Sequence, residues 1–403
     1  MKTAKHIFIG AARAAAVSLA ALTLLCCTPK KTATIPIITW AGVSPQMSAE
    51  VFPLLKECGM DGHLGLYGDA ETALRALDVA QQSGLWIIPG FPEIKDSTEV
   101  AVRLLQDHPA LYGWHLKDEP ETWDFAWLKA LAAKVDSLDG GKHPCYINLY
   151  PDWAWGGELY ENHIKAFASE VNVPFYSFDQ YPITENEDGS VSLRPGWYRN
   201  LEVFSAMARS NGKPFWAFAL TTSHHLGAPS PEAFYPVPTL GHLRLQVFSD
   251  LLYGAQAIQY FTADGLYDSK SHCPTGVYAL VKQVNSEIKA YSPVFLGCTV
   301  EKVRHSGENI PMGTTALDLD ELEGVKKLEI SGEGALVSLI SNGERKYLAI
   351  QNRDCTNPAM LSVEFEGKVK RFIPSSDKGL EKVTFNNKSF KLEEGNVAIF
   401  QIR

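Results

Sequence analysis

The chain has 403 residues, 45% of them hydrophobic and 21% charged, a globular composition that excludes disordered and fibrous classes. Its 46 acidic residues outnumber 37 basic ones, giving a net charge of −9. No sizeable basic run offsets that charge, which excludes nucleic acid as a main partner. The length suits two domains. Aromatics reach 11% with nine Trp, enough to fill large apolar cores or to stack on sugar rings.

Lys2, Lys5 and Arg13 precede an apolar run over 14–25 that ends in Cys26 and Cys27. A basic start followed by a short apolar stretch reads as a secretory signal, and the stretch is too short for a membrane span of about 20 residues. With Leu24 at −3 and a small residue at −1, Cys27 stands as in the lipobox that this end of the chain resembles. The resemblance to bacterial lipoproteins implies lipidation at Cys27, a signal peptide over 1–27, a tether over 28–34, and membrane contact through that anchor alone; secretion without lipid is the alternative. The remaining cysteines, Cys58, Cys145, Cys273, Cys298 and Cys355, are odd in number and scattered, with no CxxC and no His at metal spacing. Neither a disulfide framework nor a metal site is expected, and no cofactor signature is present.

Short apolar segments at 35–41, 63–67, 85–91, 112–117, 145–150, 175–181, 214–220 and 257–262 read as strands. Between them, 71–83, 98–106, 125–138, 159–171, 198–210 and 240–252 repeat apolar residues at three- and four-residue steps and read as helices. Gly or Pro punctuates most of the helix ends, as at Gly84, Gly140, Gly212 and Gly254. Eight strand–helix units over 35–298 predict an α/β fold, a (β/α)8 TIM barrel. An open dinucleotide-binding sheet is the rival, but Trp40-Ala41-Gly42-Val43-Ser44-Pro45 stands where its glycine-rich loop would be. From 299 to 403 the helical periods stop. Alternating segments at 328–330, 335–341, 346–352, 360–365, 370–373, 383–385 and 397–402 predict an antiparallel β-sandwich. It reads as a packing appendage or as a sugar-binding module, and no aromatic stripe supports the second.

Catalytic groups of such a barrel come from the C-terminal ends of its strands. The fourth strand runs Tyr112-Gly113-Trp114-His115-Leu116-Lys117 straight into Asp118-Glu119-Pro120. That ending resembles the Asn-Glu-Pro ending of strand four in clan A glycoside hydrolases. The resemblance implies that Glu119 is the general acid/base and that Asp118, in place of Asn, binds the sugar hydroxyl beside the reacting carbon. Barrel, sandwich and signal together resemble carbohydrate-degrading lipoproteins of gut Bacteroidetes. This implies a carbohydrate substrate and a place in the outer layers of a Gram-negative envelope. The basic residues after Cys27 favour the periplasmic face over the surface.

The sixth strand supplies Asp179 and Tyr181, two apart and on one face. The resembled clan often has His-x-Tyr there, so Asp179 departs from it. The clan's nucleophilic Glu belongs at the end of strand seven, but the sequence there reads Leu220-Thr221-Thr222-Ser223-His224-His225. Cleavage normally uses two carboxylates. The partner of Glu119 must then be Asp179, the preferred candidate, or Glu232, Asp264 or Asp118; strand alternation turns Asp118 away from Glu119. A substrate-assisted mechanism and a glycan-binding barrel without catalysis stay open. His115 or Trp114 points inward by alternation, and His224 and His225 are placed either to contact substrate hydroxyls or to balance acidic charge in the cleft. No HExxH or GxSxG motif occurs. Trp40, Tyr67 and Trp216 are expected to floor a pocket. Tyr150, Trp153 and Trp155 lie on a glycine-ended loop that either stacks on sugar rings or pins itself to the barrel.

Overall fold

The computed structural model describes residues 34–154, 157–225, 234–375 and 379–402. The signal, Cys27, Trp155 and Glu232 lie outside the described residues. Eight strands form one parallel sheet: β1 Ile37–Trp40, β2 Gly62–Leu66, β3 Trp86–Gly90, β4 Trp114–Asp118, β5 Cys145–Leu149, β6 Tyr176–Phe178, β7 Phe215–Leu220 and β8 Ala257–Phe261. The helices following them are α1 Ser48–Glu57, α2 Ala70–Ser83, α3 Thr98–Leu105, α4 Phe125–Asp139, α5 Gly157–Glu170, α6 Trp197–Asn211, α7 Leu240–Leu252 and α8 Gly276–Phe295. Strands neighbour one another in chain order, β8 pairs with β1, and the ring closes where Ile87 N–H donates to Ala110 O (2.8 Å) and Tyr112 N–H to Ile87 O (2.9 Å). This is the TIM barrel expected from the sequence.

Local chemistry explains the units. In α2, the Asp69 carboxylate accepts the Thr72 N–H at 2.7 Å, and Gly84 ends the helix at φ +72°, a conformation that costs glycine little. Ala73, Ala76, Leu77 and Ala80 form the buried stripe between. Strands such as β1 (Ile-Ile-Thr-Trp) are buried on both faces, the helices covering one and the barrel interior the other.

The interior is packed in layers. At the bottom Trp86 stacks on Tyr112 (4.0 Å between centroids) and Phe175 on Trp216 (3.9 Å). Above them Trp40, His115, Tyr146 and Phe218 meet edge to face or tilted. The polar layer described below lies over these.

Nine strands follow: β9 Thr299–His305, β10 Val325–Ile330, β11 Ala335–Asn342, β12 Arg345–Asn352, β13 Ala359–Phe365, β14 Val369–Ser375, β15 Gly379–Phe385, β16 Lys388–Leu392 and β17 Val397–Gln401. They form antiparallel sheets of six (β9-β11-β12-β17-β14-β15) and three (β10-β13-β16) strands, a sandwich around Leu348, Ile350, Leu361, Val363, Phe365 and Phe400. The outer face of the larger sheet (Leu336, Ile340, Tyr347, Ile399) joins the apolar layer of the barrel helices. α7 is consequently buried nearly all round. Its polar groups are matched across the joint: Ser249 Oγ donates to Gln351 Oε1 (2.8 Å), and Gln351 Nε2 donates to Leu245 O (3.0 Å) and Gly395 O (2.9 Å). The sandwich thus belongs to the same compact unit as the barrel.

Candidate active site

Two backbone features bring consecutive carboxylates to the barrel mouth. β4 and β5 pair as His115 with Tyr146, Lys117 with Ile147 and Asp118 with Asn148, so a bulge at Leu116 interrupts the alternation. His115 and Asp118 both point inward as a result, where regular pleating would turn Asp118 toward the helices. The next residue, Glu119, has φ +46°, and its N–H donates to Asn148 O at 2.9 Å. A non-glycine residue held there costs about 1–3 kcal/mol, and such strain concentrates at functional sites. Pro120 behind it disfavours the right-handed helical region for Glu119 and ends the strand. The expectation that Asp118 faces away from Glu119 is therefore corrected: the bulge shifts the phase of the strand.

Asn148 organises what faces these acids. Its side chain is 2% exposed; Nδ2 donates to Asp118 Oδ1 (3.2 Å) and Asp179 Oδ1 (2.8 Å), while Oδ1 accepts from Ser177 Oγ (2.9 Å). Ser177 in turn accepts from Gln259 Nε2 (2.8 Å), whose Oε1 accepts from the Tyr146 hydroxyl (2.7 Å). Two carboxyl oxygens facing Nδ2 and the Ser177 hydroxyl facing Oδ1 set the orientation of the Asn148 amide, while the Ser177 and Tyr146 hydroxyls, 2.8 Å apart, can each donate or accept. Asn148, Ser177, Gln259 and Tyr146 were not singled out from the sequence. The signal was present: each is a polar group at an inward strand position, in step with Asp179 (Ser177), Trp40 and Phe218 (Tyr146) or Phe261 (Gln259).

The electrostatics follow from crowding of acids in a half-enclosed space. Burial lifts the Glu119 carboxyl to about 7, with Asp118 and then Glu121 adding repulsion. Asp179 is lifted to about 8, by burial first and then by Glu119 and Asp118, against hydrogen bonds from Asn148 and Tyr181. Asp118 is reached by solvent yet raised by burial among surrounding groups, with the Asn148 bond and Lys117 opposing. A carboxyl titrating near neutral pH beside an acceptor carboxylate is the arrangement a general acid requires.

The other expected residues fall into three groups. Tyr181, His224, Tyr235 (one of the aromatics that the sequence clusters in the strand-end loops) and the unforeseen Phe261 form one wall, with Tyr181–Tyr235 at 5.9 Å, His224–Tyr235 at 4.8 Å and Tyr181–Phe261 at 5.4 Å between centroids. His224 Nδ1 lies 2.9 Å from Thr222 O, so Nδ1 carries the proton and donates. Tyr150 donates to Glu121 at 3.3 Å, and burial with Glu121 and Glu119 pushes its hydroxyl up to about 12. Trp40 is a floor, under the polar layer. Tyr67 lines a side cleft of about 430 Å³ with Leu66, Gly90, Phe91 and His115, at the seam where β3 and β4 diverge.

Trp216 is a correction of place: it lies near the start of β7, stacked on Phe175 at the bottom of the barrel. Inward alternation was read correctly, but the strand's direction puts it at the far end from the mouth. Asp264 is exposed and packs over Gly42 beyond β1, where a Cβ would meet its Oδ1. The end of β7 presents Thr221, which donates to Thr262 O (2.8 Å), and Thr222, which meets Thr262 Oγ1 (3.1 Å); among the described residues no carboxylate stands there. On the rim, Trp153 is 50% exposed, which agrees with a platform rather than an anchor. Trp123, 75% exposed after β4, is a second rim aromatic that sequence reading passed over. Among the described residues no cluster of three or more His, Cys, Asp or Glu could hold a metal ion.

No protein-family model matches the sequence, and no curated protein matches it. Among solved structures, an Anoxybacillus α-amylase described as a new glycosyl hydrolase subclass is similar over 92% of this chain and 97% of its own, with a TM-score of 0.51 at 9% identity. An endo-1,4-β-mannanase from Rhizomucor miehei is similar over 64% of this chain and 95% of its own (TM-score 0.44, 11% identity). A GH99 endo-α-mannosidase from Bacteroides thetaiotaomicron is similar over 60% and 82% (TM-score 0.43, 11% identity). The first likeness is one of fold, and the two weaker ones add nothing to it. The chain thus shares its architecture with a solved glycoside hydrolase.

Proposed function

We propose that this protein is a glycoside hydrolase acting on an oligo- or polysaccharide, with Glu119 as the general acid. The observation that carries the reading is the placement of Glu119: a strained residue at the end of β4, directed to the mouth beside Asp118, with its carboxyl raised to about 7. A protonated carboxyl at neutral pH can donate to the oxygen of a departing sugar. The aromatic rim of Tyr150, Trp123 and Trp153 suits pyranose faces. A fold shared with a glycoside hydrolase agrees with this but does not supply it, since barrels host many chemistries.

The end of β7 favours a second reading, glycan binding without turnover. A product screen of the chain against plant and microbial glycans, run beside Glu119→Gln, separates the two. Sugar release by the wild type and none by the variant supports hydrolysis; binding by both with release by neither supports the second reading.

From the export signal read over 1–27 we further propose that the activity lies outside the cytoplasm, lipid-anchored through Cys27 and facing the periplasm. Labelling with radioactive palmitate is expected in the full chain and absent in Cys27→Ala.

A further inference from the structure

The seam between β3 and β4 holds a second opening beside the mouth. The two strands are joined at Ile87 and diverge above it, and the bulged Leu116 stands at the gap. The cleft there has a volume of about 430 Å³, within the range of about 300–1,000 Å³ that small-molecule sites occupy. Two glycines clear its walls. A Cβ at Gly65 would collide with the Tyr67 hydroxyl, and one at Gly90 would come within 2.6 Å of His115 Nδ1. Tyr67 is 7% exposed and His115 9%, yet the Tyr67 hydroxyl and His115 Nε2 have no hydrogen-bond partner among the described residues. Buried polar atoms are rarely left in that state, because each forfeits its bonds to water. A ligand in the cleft would supply what the protein does not.

The chemistry of the walls selects the ligand. Burial, with Lys117 adding to it, holds the His115 imidazole neutral by lowering it to about 4, and burial raises the Tyr67 hydroxyl so that it keeps its proton. A neutral imidazole and a phenol each combine one donor with an acceptor, the pairing that a sugar hydroxyl returns. Leu66, Phe91 and Leu116 offer apolar surface to the C–H faces of a ring. At the edge stand Asp96 and Lys95, whose ammonium lies 4.9 Å from the centre of the Trp127 ring. Asp118 and Glu119 follow two and three residues beyond the bulge, so an anion in the cleft would meet their repulsion.

We propose that this side cleft is a subsite for one uncharged sugar unit of the substrate, held by Tyr67 and His115 next to the bond that Glu119 serves. The proposal rests on the glycosidase reading and deepens it, by naming neutral glycans as the substrate class. Uronic acids and sulfated or phosphorylated sugars are excluded from this position. Tyr67 and His115 act here in selection and touch no reacting atom.

The test uses the full mature chain carrying Glu119→Gln, so that bound sugar is not consumed. Saturation-transfer NMR titrations with the methyl glycosides of glucose, mannose, galactose and xylose are set beside methyl glucuronide and methyl galacturonide. Binding of at least one neutral glycoside and of neither uronide is expected. Leu66→Trp, made at a lining residue that is 53% exposed, should abolish that binding by filling the space. Tyr67→Phe should weaken it about 3–10-fold, the scale of one hydrogen bond between uncharged groups. Its hydroxyl has no partner to lose, so Tyr67→Phe should keep Tm at or above the wild-type value. A lowered Tm with unchanged affinity would make Tyr67 merely structural and overturn the proposal. Uronides bound as tightly as neutral sugars overturn it too, as does no binding at all, or binding that neither variant alters. Each of these results leaves the glycosidase reading intact where the wild type releases sugar from a glycan and Glu119→Gln does not. Undiminished hydrolysis by Glu119→Gln overturns that reading instead, and the titrations then judge the cleft by themselves.

Discussion

Removing Asn148 interrogates the architecture of the site most severely, because one side chain aims two carboxylates. Asn148→Ala deletes a 2.8 Å bond to Asp179 and a 3.2 Å bond to Asp118, and the Ser177 hydroxyl, which donates to Asn148 at 2.9 Å, must turn to the Tyr146 hydroxyl at 2.8 Å. A hydrogen bond to a charged group such as the Asp118 carboxylate contributes about 1.5–3 kcal/mol and one to a neutral acid about 0.5–1.5 kcal/mol, so a loss of about 2–4 kcal/mol in stability is expected at neutral pH. The sharper measurement is a double-mutant cycle with Asp179→Ala, followed by urea unfolding at two pH values. Asp179 titrates at about 8, so at pH 9.5 the bond is to a carboxylate and at pH 5.5 to a neutral acid. The coupling should be about 1.5–3 kcal/mol at the higher pH and about 0.5–1.5 kcal/mol at the lower. A coupling near zero, or one that does not change with pH, would refute the network and the protonation state assigned to Asp179.

Other consequences are open to measurement. Activity should fall above about pH 7 as Glu119 loses its proton; Glu121→Gln removes a repelling charge, eases that ionisation and should move the alkaline limb of kcat/KM to lower pH. An unmoved limb would place another group in the titration. The folded pKa of Asp179 lies above its ordinary 3.8, so its stabilising proton is fully present below about pH 4 and lost as pH rises through about 8. Asp179→Asn escapes that loss, and its Tm advantage over wild type should widen across this window; a constant difference would contradict the assignment. Trp123→Ala and Trp153→Ala should raise KM for long glycans while leaving aryl monosaccharides unaffected, and equal effects on both would dismiss the rim as a platform.

Much of the barrel was legible because its strands are buried on both faces and its helices alternate at a clear period. The sandwich strands that escaped, β9 (Thr299–His305) and β16 (Lys388–Leu392), carry exposed Glu and Lys at alternate or adjacent positions, which dilutes the apolar signal. In the site, Glu119 and Asp179 were found because a strand running into Asp-Glu-Pro or Asp-x-Tyr-Pro has no packing reason to end in acids. Asp118 was discounted because period-two reasoning assumes an unbroken ladder, and nothing about Leu116 by itself announces a bulge. Asn148 was missed for the opposite reason. It sits in Cys145–Leu149, where the apolar majority hid the two inward polar positions, Tyr146 and Asn148. Trp216 shows that facing the interior and facing the mouth are separate questions, the second answered by distance along the strand.

The central claim is that Glu119 donates the proton to the departing oxygen, and leaving-group ability tests it most directly. Full-length wild type and Glu119→Gln would be compared on a paired alkyl glycoside and 2,4-dinitrophenyl glycoside of a sugar the wild type hydrolyses. A dinitrophenolate departs without protonation and an alkoxide does not. The variant should therefore lose about 10²–10⁴-fold on the alkyl glycoside and far less on the dinitrophenyl one. Equal losses on both would mean that Glu119 serves the site in some way other than as its acid, and undiminished hydrolysis of the alkyl glycoside would remove it from the chemistry altogether.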